Sequence, residues 1–250
     1  IRMDTYPYAD RKAMAEWMRV LDNEYPNFNT VGETWVTEPA YTAAWQKDSK
    51  LSTMNSYLKT VMDFSFYDKL NQAKHEETDD WWKGFNRMLK QALALLLTIN
   101  RIPQLYYGTE VLLNGTKEVT DGNVRKDFPG GFAGDTHNCF TAEGRTKAEN
   151  GMFTWLSTVL HWRQGNEVIS RGTQKQFIPW KGVYVIARQY KGRTVMTILN
   201  GKRSAATLPV ARYAEVIGSH TTARDVVTGQ RVDLTHDVTL PARAALIVDF

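Results

Sequence analysis

Ile1-Arg2-Met3-Asp4 and Phe28-Asn29-Thr30-Val31-Gly32-Glu33 each read as a short apolar strand that stops at an acid, and what lies between them decides the fold. From Asp10, placed as an N-cap, the residues Met14, Trp17, Met18 and Leu21 recur at i, i+3, i+4 and i+7 and predict a helix that Tyr25-Pro26-Asn27 ends. Strand, helix and strand in that order predict two parallel neighbours joined by a crossover. Working outward, Leu58 to Phe64 and Ile102 to Tyr107 read as further short strands, the second entered through a helix over Leu89 to Asn100. The whole reads as an α/β parallel sheet covered by helices.

One irregularity interrupts the alternation. Asp80 to Met88 and Leu89 to Asn100 predict two helical stretches with no strand between them, which points to a strand missing at the Met88-Leu89 junction. Ile1 carries neither an initiator Met nor a signal-peptide pattern before it, so the start reads as a cut edge. From Arg171 the texture becomes β: Val183 to Arg188 and Thr194 to Leu199 flank the hairpin signal Lys191-Gly192-Arg193, Thr228-Gly229 marks another turn, and Val238 to Phe250 closes the chain as strand. These last residues predict an all-β sandwich, preceded by a helix over Asn150 to Arg163. No internal repeat or low-complexity tract breaks the pattern.

Composition narrows the function classes. The 250 residues are 42% hydrophobic, enough for a substantial core. A formal charge of +4 comes from scattered Lys and Arg, which argues against a nucleic-acid partner. No apolar run is long enough to insert in a membrane, and the chain reads as soluble. The single cysteine, Cys139, excludes an internal disulfide and a cysteine-built zinc site, and no local partner is expected to make it reactive. Aromatic residues make up 12% of the chain, a weak sign of stacking on sugar rings.

Asp4 and Glu33 are the carboxylates on which chemistry is expected. Each ends a predicted parallel strand, and 29 residues separate them, one strand-loop-helix-loop unit, so they face the same mouth. Two acids so placed divide labour as nucleophile and proton donor, which cleavage of a glycosidic bond requires. Arg2 points the same way as Asp4 along the strand and is suited to keep it ionised. Tyr6 and Trp35 neighbour the pair, with core packing as the alternative role for both. His75-Glu76-Glu77 with Asp79-Asp80 is read as an acidic loop or helix start rather than a metal site, Asp121-Gly122-Asn123 as a turn, and Trp81-Trp82 as one buried and one exposed residue of a helix.

These words together resemble the α-amylase family of retaining glycoside hydrolases. Ile1-Arg2-Met3-Asp4-Thr5-Tyr6 is similar to its fourth-strand motif and Gly32-Glu33-Thr34-Trp35 to its fifth. Val61-Met62-Asp63-Phe64 resembles the sixth strand of the neopullulanase and cyclomaltodextrinase branch, of the gut Bacteroidetes type, and Ile102 to Glu110 the eighth-strand signature, where Glu110 is read as structural. The resemblance implies a partial (β/α)8 TIM barrel, its second half, over residues 1–170, with strand seven missing at 88/89, followed by the β-sandwich over 171–250. It implies Asp4 as nucleophile, Glu33 as acid/base, and Arg2, Tyr6, Tyr8 and Trp35 as substrate contacts. Tyr8 stands where the family often carries part of a Lys-His pair. The family's Asn-His-Asp triplet has no counterpart: of His75, His137, His161, His220 and His236, only His236 precedes an aspartate, in the β tail.

The activity so implied is hydrolysis of α-glucosidic bonds in starch-derived glucans, maltooligosaccharides or cyclodextrins. Transglycosylation, or silent glucan binding, stands as the alternative. No metal ligand is assigned, calcium and a homodimer are left open for the complete protein, the periplasm is favoured by resemblance alone, and the 250 residues by themselves are expected to be inactive.

Overall fold

The computed structural model describes residues 1–68, 81–115 and 120–250, with the backbone course alone at 81–85. The chain divides into two compact units, Ile1–Asp79 and Asp80–Phe250.

The first unit holds a three-stranded parallel sheet in the order β1 (Arg2–Met3), β2 (Val31–Gly32), β3 (Thr60–Val61). Arg2 pairs with Val31, Met3 with Gly32, and these in turn with Thr60 and Val61. Helix α1 (Arg11–Glu24) makes the β1 to β2 crossover, and the Asp10 carboxylate accepts from the Ala13 amide at its start, 2.8 Å away. Met14, Met18 and Leu21 pack with Met3, Tyr6 and Leu58 beneath the sheet. Trp17, expected on the same face, sits at its flank and is exposed. The ladders are shorter than the apolar runs that predicted them: Phe28 is exposed and Leu58 is core without being strand. A second short helix, α2 (Pro39–Ala44), follows β2.

In the second unit the two expected helical stretches are one. Helix α3 (Trp81–Thr98) runs unbroken through Met88 and Leu89, because Leu89, Leu93, Ala94, Leu96 and Leu97 form a continuous stripe that packs in one core. Ile102 to Tyr107 is not a strand; it runs without a ladder among the described residues, Ile102 exposed and Tyr106 and Tyr107 ring to ring at 4.6 Å. An extended segment becomes a strand only beside a partner, and the described residues offer it none. The acidic run His75-Glu76-Glu77 and Asp79-Asp80, and the side chains of Trp81 and Trp82, lie outside the described residues.

The C-terminal strands are β4 (Thr173–Gln176), β5 (Val183–Tyr190), β6 (Arg193–Asn200), β7 (Ala206–Leu208), β8 (Thr222–Asp225), β9 (Arg231–Asp233), β10 (Val238–Leu240) and β11 (Ala245–Asp249). Six form an antiparallel sheet in the order β4-β5-β6-β11-β8-β9, and β7 pairs with β10 in a second. The β5-β6 turn is Lys191-Gly192, both at positive φ, the conformation that matches a two-residue hairpin to the twist of its strands. Both faces of the large sheet are apolar. Val185, Ala187, Met196, Ile198 and Val248 turn toward Leu208 and Leu240 of the small sheet, while Val195 and Ile247 turn toward α3 and α4 (Lys147–Arg163). On that second face α3 and α4 cover the sheet.

Helix ends are tied down by a buried cation. Arg188, 1% exposed, donates to the Thr98 carbonyl at 3.3 Å and the Gly172 carbonyl at 2.6 Å, the C-terminal ends of α3 and of α5 (Glu167–Arg171). A cation at a helix C-terminus is favoured by the peptide dipoles. Thr197 bonds Thr98 hydroxyl to hydroxyl at 2.7 Å, and Gln91 donates to the Asn200 carbonyl at 2.7 Å. Arg188→Met keeps most of the stem but orphans two interior carbonyls, and is expected to cost about 1–3 kcal/mol, read as a lowered urea midpoint with an unchanged slope.

Candidate active site

Glu33 follows β2 and Asp4 follows β1, so pairing of the two strands brings their side chains to one end of the sheet. The Glu33 amide donates to the Met3 carbonyl at 2.9 Å and carries the ladder one step past the strand. Arg2 closes the arrangement: its Nη2 lies 2.9 Å from Asp4 Oδ1 and 2.9 Å from Glu33 Oε1. Those two oxygens therefore stand no further apart than twice that distance. Glu33 is the enclosed member, its side chain 12% exposed, whereas Asp4 is 69% exposed. The single guanidinium thus bridges the two carboxylates and fixes them on one side of the sheet end.

A further donor enters from the backbone. Thr5 has φ 44° and ψ 37°, a left-handed conformation that a β-branched residue rarely adopts, and the bend aims its amide at Glu33 Oε2, 3.0 Å away. A short 3-10 turn, Tyr6–Tyr8, follows, with Pro7 at its second position. Gly32 is required by close approach: a Cβ there would lie 2.6 Å from Leu58 Cδ2 and 3.2 Å from Tyr6 Cγ. Thr34 is buried and its hydroxyl donates to the Met62 carbonyl at 3.2 Å, which holds the β2 exit against β3.

The three aromatic candidates part company. Tyr6 is 2% exposed and sits edge-on to Trp45 at 5.8 Å, so it floors the site and offers no face to a ligand. Tyr8 is 80% exposed on the turn. Trp35 is half-exposed and lies flat on Phe64, 5.1 Å between centroids and 7° between planes, an aromatic platform beside Glu33 whose second ring the sequence reading had not singled out. Asp63, at the end of β3, is held by its own turn, accepting from the Ser65 hydroxyl and the Phe66 amide.

The Tyr6 hydroxyl finds no partner among the described residues, and burial pushes its pKa from 10.0 up to about 12. The folded state thus holds the phenol proton more tightly than the unfolded chain. Its contribution is complete below pH 10 and is lost as pH rises through about 12. Tyr6→Phe is expected to leave neutral stability nearly unchanged and to shift the alkaline unfolding limb of the first unit upward, checked by circular dichroism against pH.

A second cluster was not anticipated. Cys139, buried, has close partners after all: its Sγ lies 3.1 Å from His137 Nε2, which lies 3.0 and 3.1 Å from the two oxygens of Glu149. Burial and the Glu149 carboxylate push the thiol pKa up. The His-x-Cys spacing was visible in the chain; Glu149, ten residues on at the head of α4, was not an evident third member. His236 bonds Asp233 at 2.9 Å within the β tail.

Residues 174–249 match the family described as the cyclo-malto-dextrinase C-terminal domain. The cyclomaltodextrin glucanotransferase of Geobacillus stearothermophilus is 23% identical, the match covering 87% of this chain and 33% of that protein. An alpha-amylase of Niallia circulans is 23% identical over 57% of this chain and 25% of its own length. Among solved structures, an Anoxybacillus alpha-amylase superposes with a TM-score of 0.72 at 18% identity, covering 99% of this chain and 57% of that one. The cyclic alpha-maltosyl-(1→6)-maltose hydrolase of Arthrobacter globiformis gives 0.69 at 15%, over 99% and 55%. The chain thus spans about a third of the first curated relative and little more than half of these structures.

Proposed function

We propose that this chain, which belongs to the α-amylase family and carries a cyclomaltodextrinase-type C-terminal domain over residues 174–249, is the glucan-cleaving part of a retaining glycoside hydrolase. In this reading β1, β2 and β3 are strands four to six of a (β/α)8 barrel, and their carboxyl ends carry the chemistry. The observation that carries it is the single Arg2 nitrogen held at 2.9 Å from both Asp4 and Glu33. Retaining enzymes hold the two carboxyl groups ~5–5.5 Å apart, inverting ones ~6.5–9.5 Å, and a shared cation fits the closer spacing.

Glu33 protonates the departing glycosidic oxygen while Asp4 attacks the anomeric carbon; Glu33 then takes a proton from water, which releases the sugar with its configuration retained. Arg2 keeps Asp4 ionised for attack, and the Thr5 amide orients Glu33. Trp35 backed by Phe64 supplies a flat apolar face of the kind on which a glucose ring stacks, with exposed Tyr8 at the rim. The substrates are starch-derived α-glucans, maltooligosaccharides or cyclodextrins of the neopullulanase type. Activity is expected of the complete protein, since β1 and β3 are edges of the described sheet and need neighbours to close a barrel. Transglycosylation is a second reading, favoured by relatives named cyclomaltodextrin glucanotransferases; the same intermediate would then pass to a sugar hydroxyl.

Two measurements on the complete protein test the reading. Proton NMR of maltooligosaccharide cleavage is expected to show the α anomer forming first, and a slow 5-fluoro glycosyl donor should leave an ester on the peptide containing Asp4. A β anomer appearing first, or an adduct on Asp10 or Asp63, rejects it.

A further inference from the structure

The three side chains His137, Cys139 and Glu149 offer imidazole, thiol and carboxylate ligand atoms that all lie within 4.8 Å of one another. We propose that they form a binding site for a borderline-soft divalent cation of the Zn²⁺ class, which pins the 128–145 loop to the head of α4.

Three features of the molecule carry this. First, the donor set is one of sulfur, nitrogen and oxygen. A thiolate with an imidazole selects zinc-like ions over the hard cations calcium and magnesium, which take oxygen alone. Second, Cys139 Sγ and both Glu149 oxygens crowd a single nitrogen, His137 Nε2, at 3.0–3.1 Å. Nε2 carries at most one hydrogen. If that hydrogen points to the carboxylate, the sulfur meets only a weak N–H contact and the thiol turns to Glu149 as well, so both hydrogens converge on one carboxylate. If Nε2 accepts from the thiol, the carboxylate oxygens face its lone pair. A cation at the centre satisfies all three atoms at once. Zn–N of about 2.0–2.1 Å and Zn–S of about 2.3 Å ask the ligands to part by a few tenths of an ångström. The His137 side chain, 41% exposed, has room to give it and leaves a fourth position for water.

Third, the ligands are held from behind. Glu149 is N3 of α4 and closes a capping box, its Oε2 accepting from the Thr146 amide at 2.7 Å. The Cys139 amide donates to the Pro129 carbonyl at 2.9 Å, and Arg145 Nε donates to the Cys139 carbonyl at 2.8 Å. Arg145 also stacks on Phe153 of α4, 3.5 Å from the ring centre. Gly130 and Gly144 let the loop close on itself, since a Cβ at either would collide with Asn138. Preorganised ligands with partners behind them lose little freedom when an ion arrives. On binding, the Cys139 thiol gives its proton to solvent and its sulfur forms the metal–thiolate bond, with an imidazole nitrogen lone pair of His137 and a Glu149 carboxylate oxygen as the other donors.

The test uses the full chain freed of metal with EDTA, and the probes are Zn²⁺ and Co²⁺ alone. One Co²⁺ per chain is expected, with a near-ultraviolet thiolate-to-cobalt charge-transfer band and visible bands of tetrahedral intensity, both removed by one equivalent of Zn²⁺. Cys139→Ser is expected to abolish the charge-transfer band. Glu149→Gln keeps the capping box, for which Gln also serves, and is expected to weaken Zn²⁺ binding at least tenfold, with helix content unchanged. Bound Co²⁺ without a thiolate band, or Zn²⁺ affinity untouched by Cys139→Ser and Glu149→Gln, overturns the proposal. Neither readout depends on glucan cleavage, so this site stands or falls apart from the reading of Asp4 and Glu33.

Discussion

Asp4→Asn in the complete protein is expected to lower turnover of maltooligosaccharides by on the order of 10⁶-fold, the scale seen when a covalent nucleophile is removed. The amide matches the carboxylate in size, and Asp4 is exposed at the strand end, so the sheet has no packing to lose. What disappears is the negative charge, which makes the oxygen nucleophilic enough to attack the anomeric carbon and stabilises the oxocarbenium-like transition state. Arg2 would remain bonded to Glu33 at 2.9 Å, which keeps the site assembled and makes the variant a fair comparison. The measurement is paired: steady-state hydrolysis, and mass spectrometry of the peptide spanning residues 1–10 after incubation with a 5-fluoro donor. Loss of rate with an adduct still formed would transfer the nucleophile elsewhere.

Glu33→Gln is expected to separate the two steps that Asp4→Asn abolishes together. Glu33 is enclosed, with Oε2 on the Thr5 amide and Oε1 on Arg2, so the isosteric amide retains part of the network but has no proton to deliver. General acid catalysis contributes about 10²–10⁴-fold, and natural glucosides are expected to lose about that much. Glucosyl fluorides leave without protonation, so their first step should be affected far less, and the glycosyl-enzyme should accumulate because water lacks its base. The burst in fluoride release reads this directly. Equal losses on both kinds of substrate would remove Glu33 from the proton-transfer role.

How far the sequence foretold this arrangement differs from residue to residue. The meeting of Arg2, Asp4 and Glu33 followed from the chain, because strand alternation puts residues 2 and 4 on one side and one crossover length separates 4 from 33. The Thr5 amide did not, since nothing about a threonine announces a left-handed backbone, which lies beside Tyr6, whose ring turns inward toward Gly32. Tyr6 went to the core while Trp35, equally close to an acid, stayed outside. The two stretches expected over 80–88 and 89–100 are one helix, 81–98, because the apolar residues Leu89, Leu93, Ala94, Leu96 and Leu97 share one core, a tertiary relation that local pattern does not encode. Ile102 to Tyr107 has strand composition, but a strand is a relation between segments, which local composition does not encode. The His137 cluster joins a loop to a helix cap, and Thr146-x-x-Glu149 reads as a cap before it reads as a ligand.

The tie between α3 and the sheet bears on how this region is exchanged between proteins. Gln91 and Thr98, seven residues apart on one helix, grip the sheet through Asn200 and Thr197, and Arg188 locks the last turn. A recombination joint at 170/171 would carry off eight strands and leave Val195 and Ile247 facing water on one side and the stripe of α3 on the other. A joint ahead of α3 cuts none of these bonds. A chimaera that inherits only the strands would expose Val195 and Ile247, and is expected to be less soluble than one that keeps α3 and α4 with them.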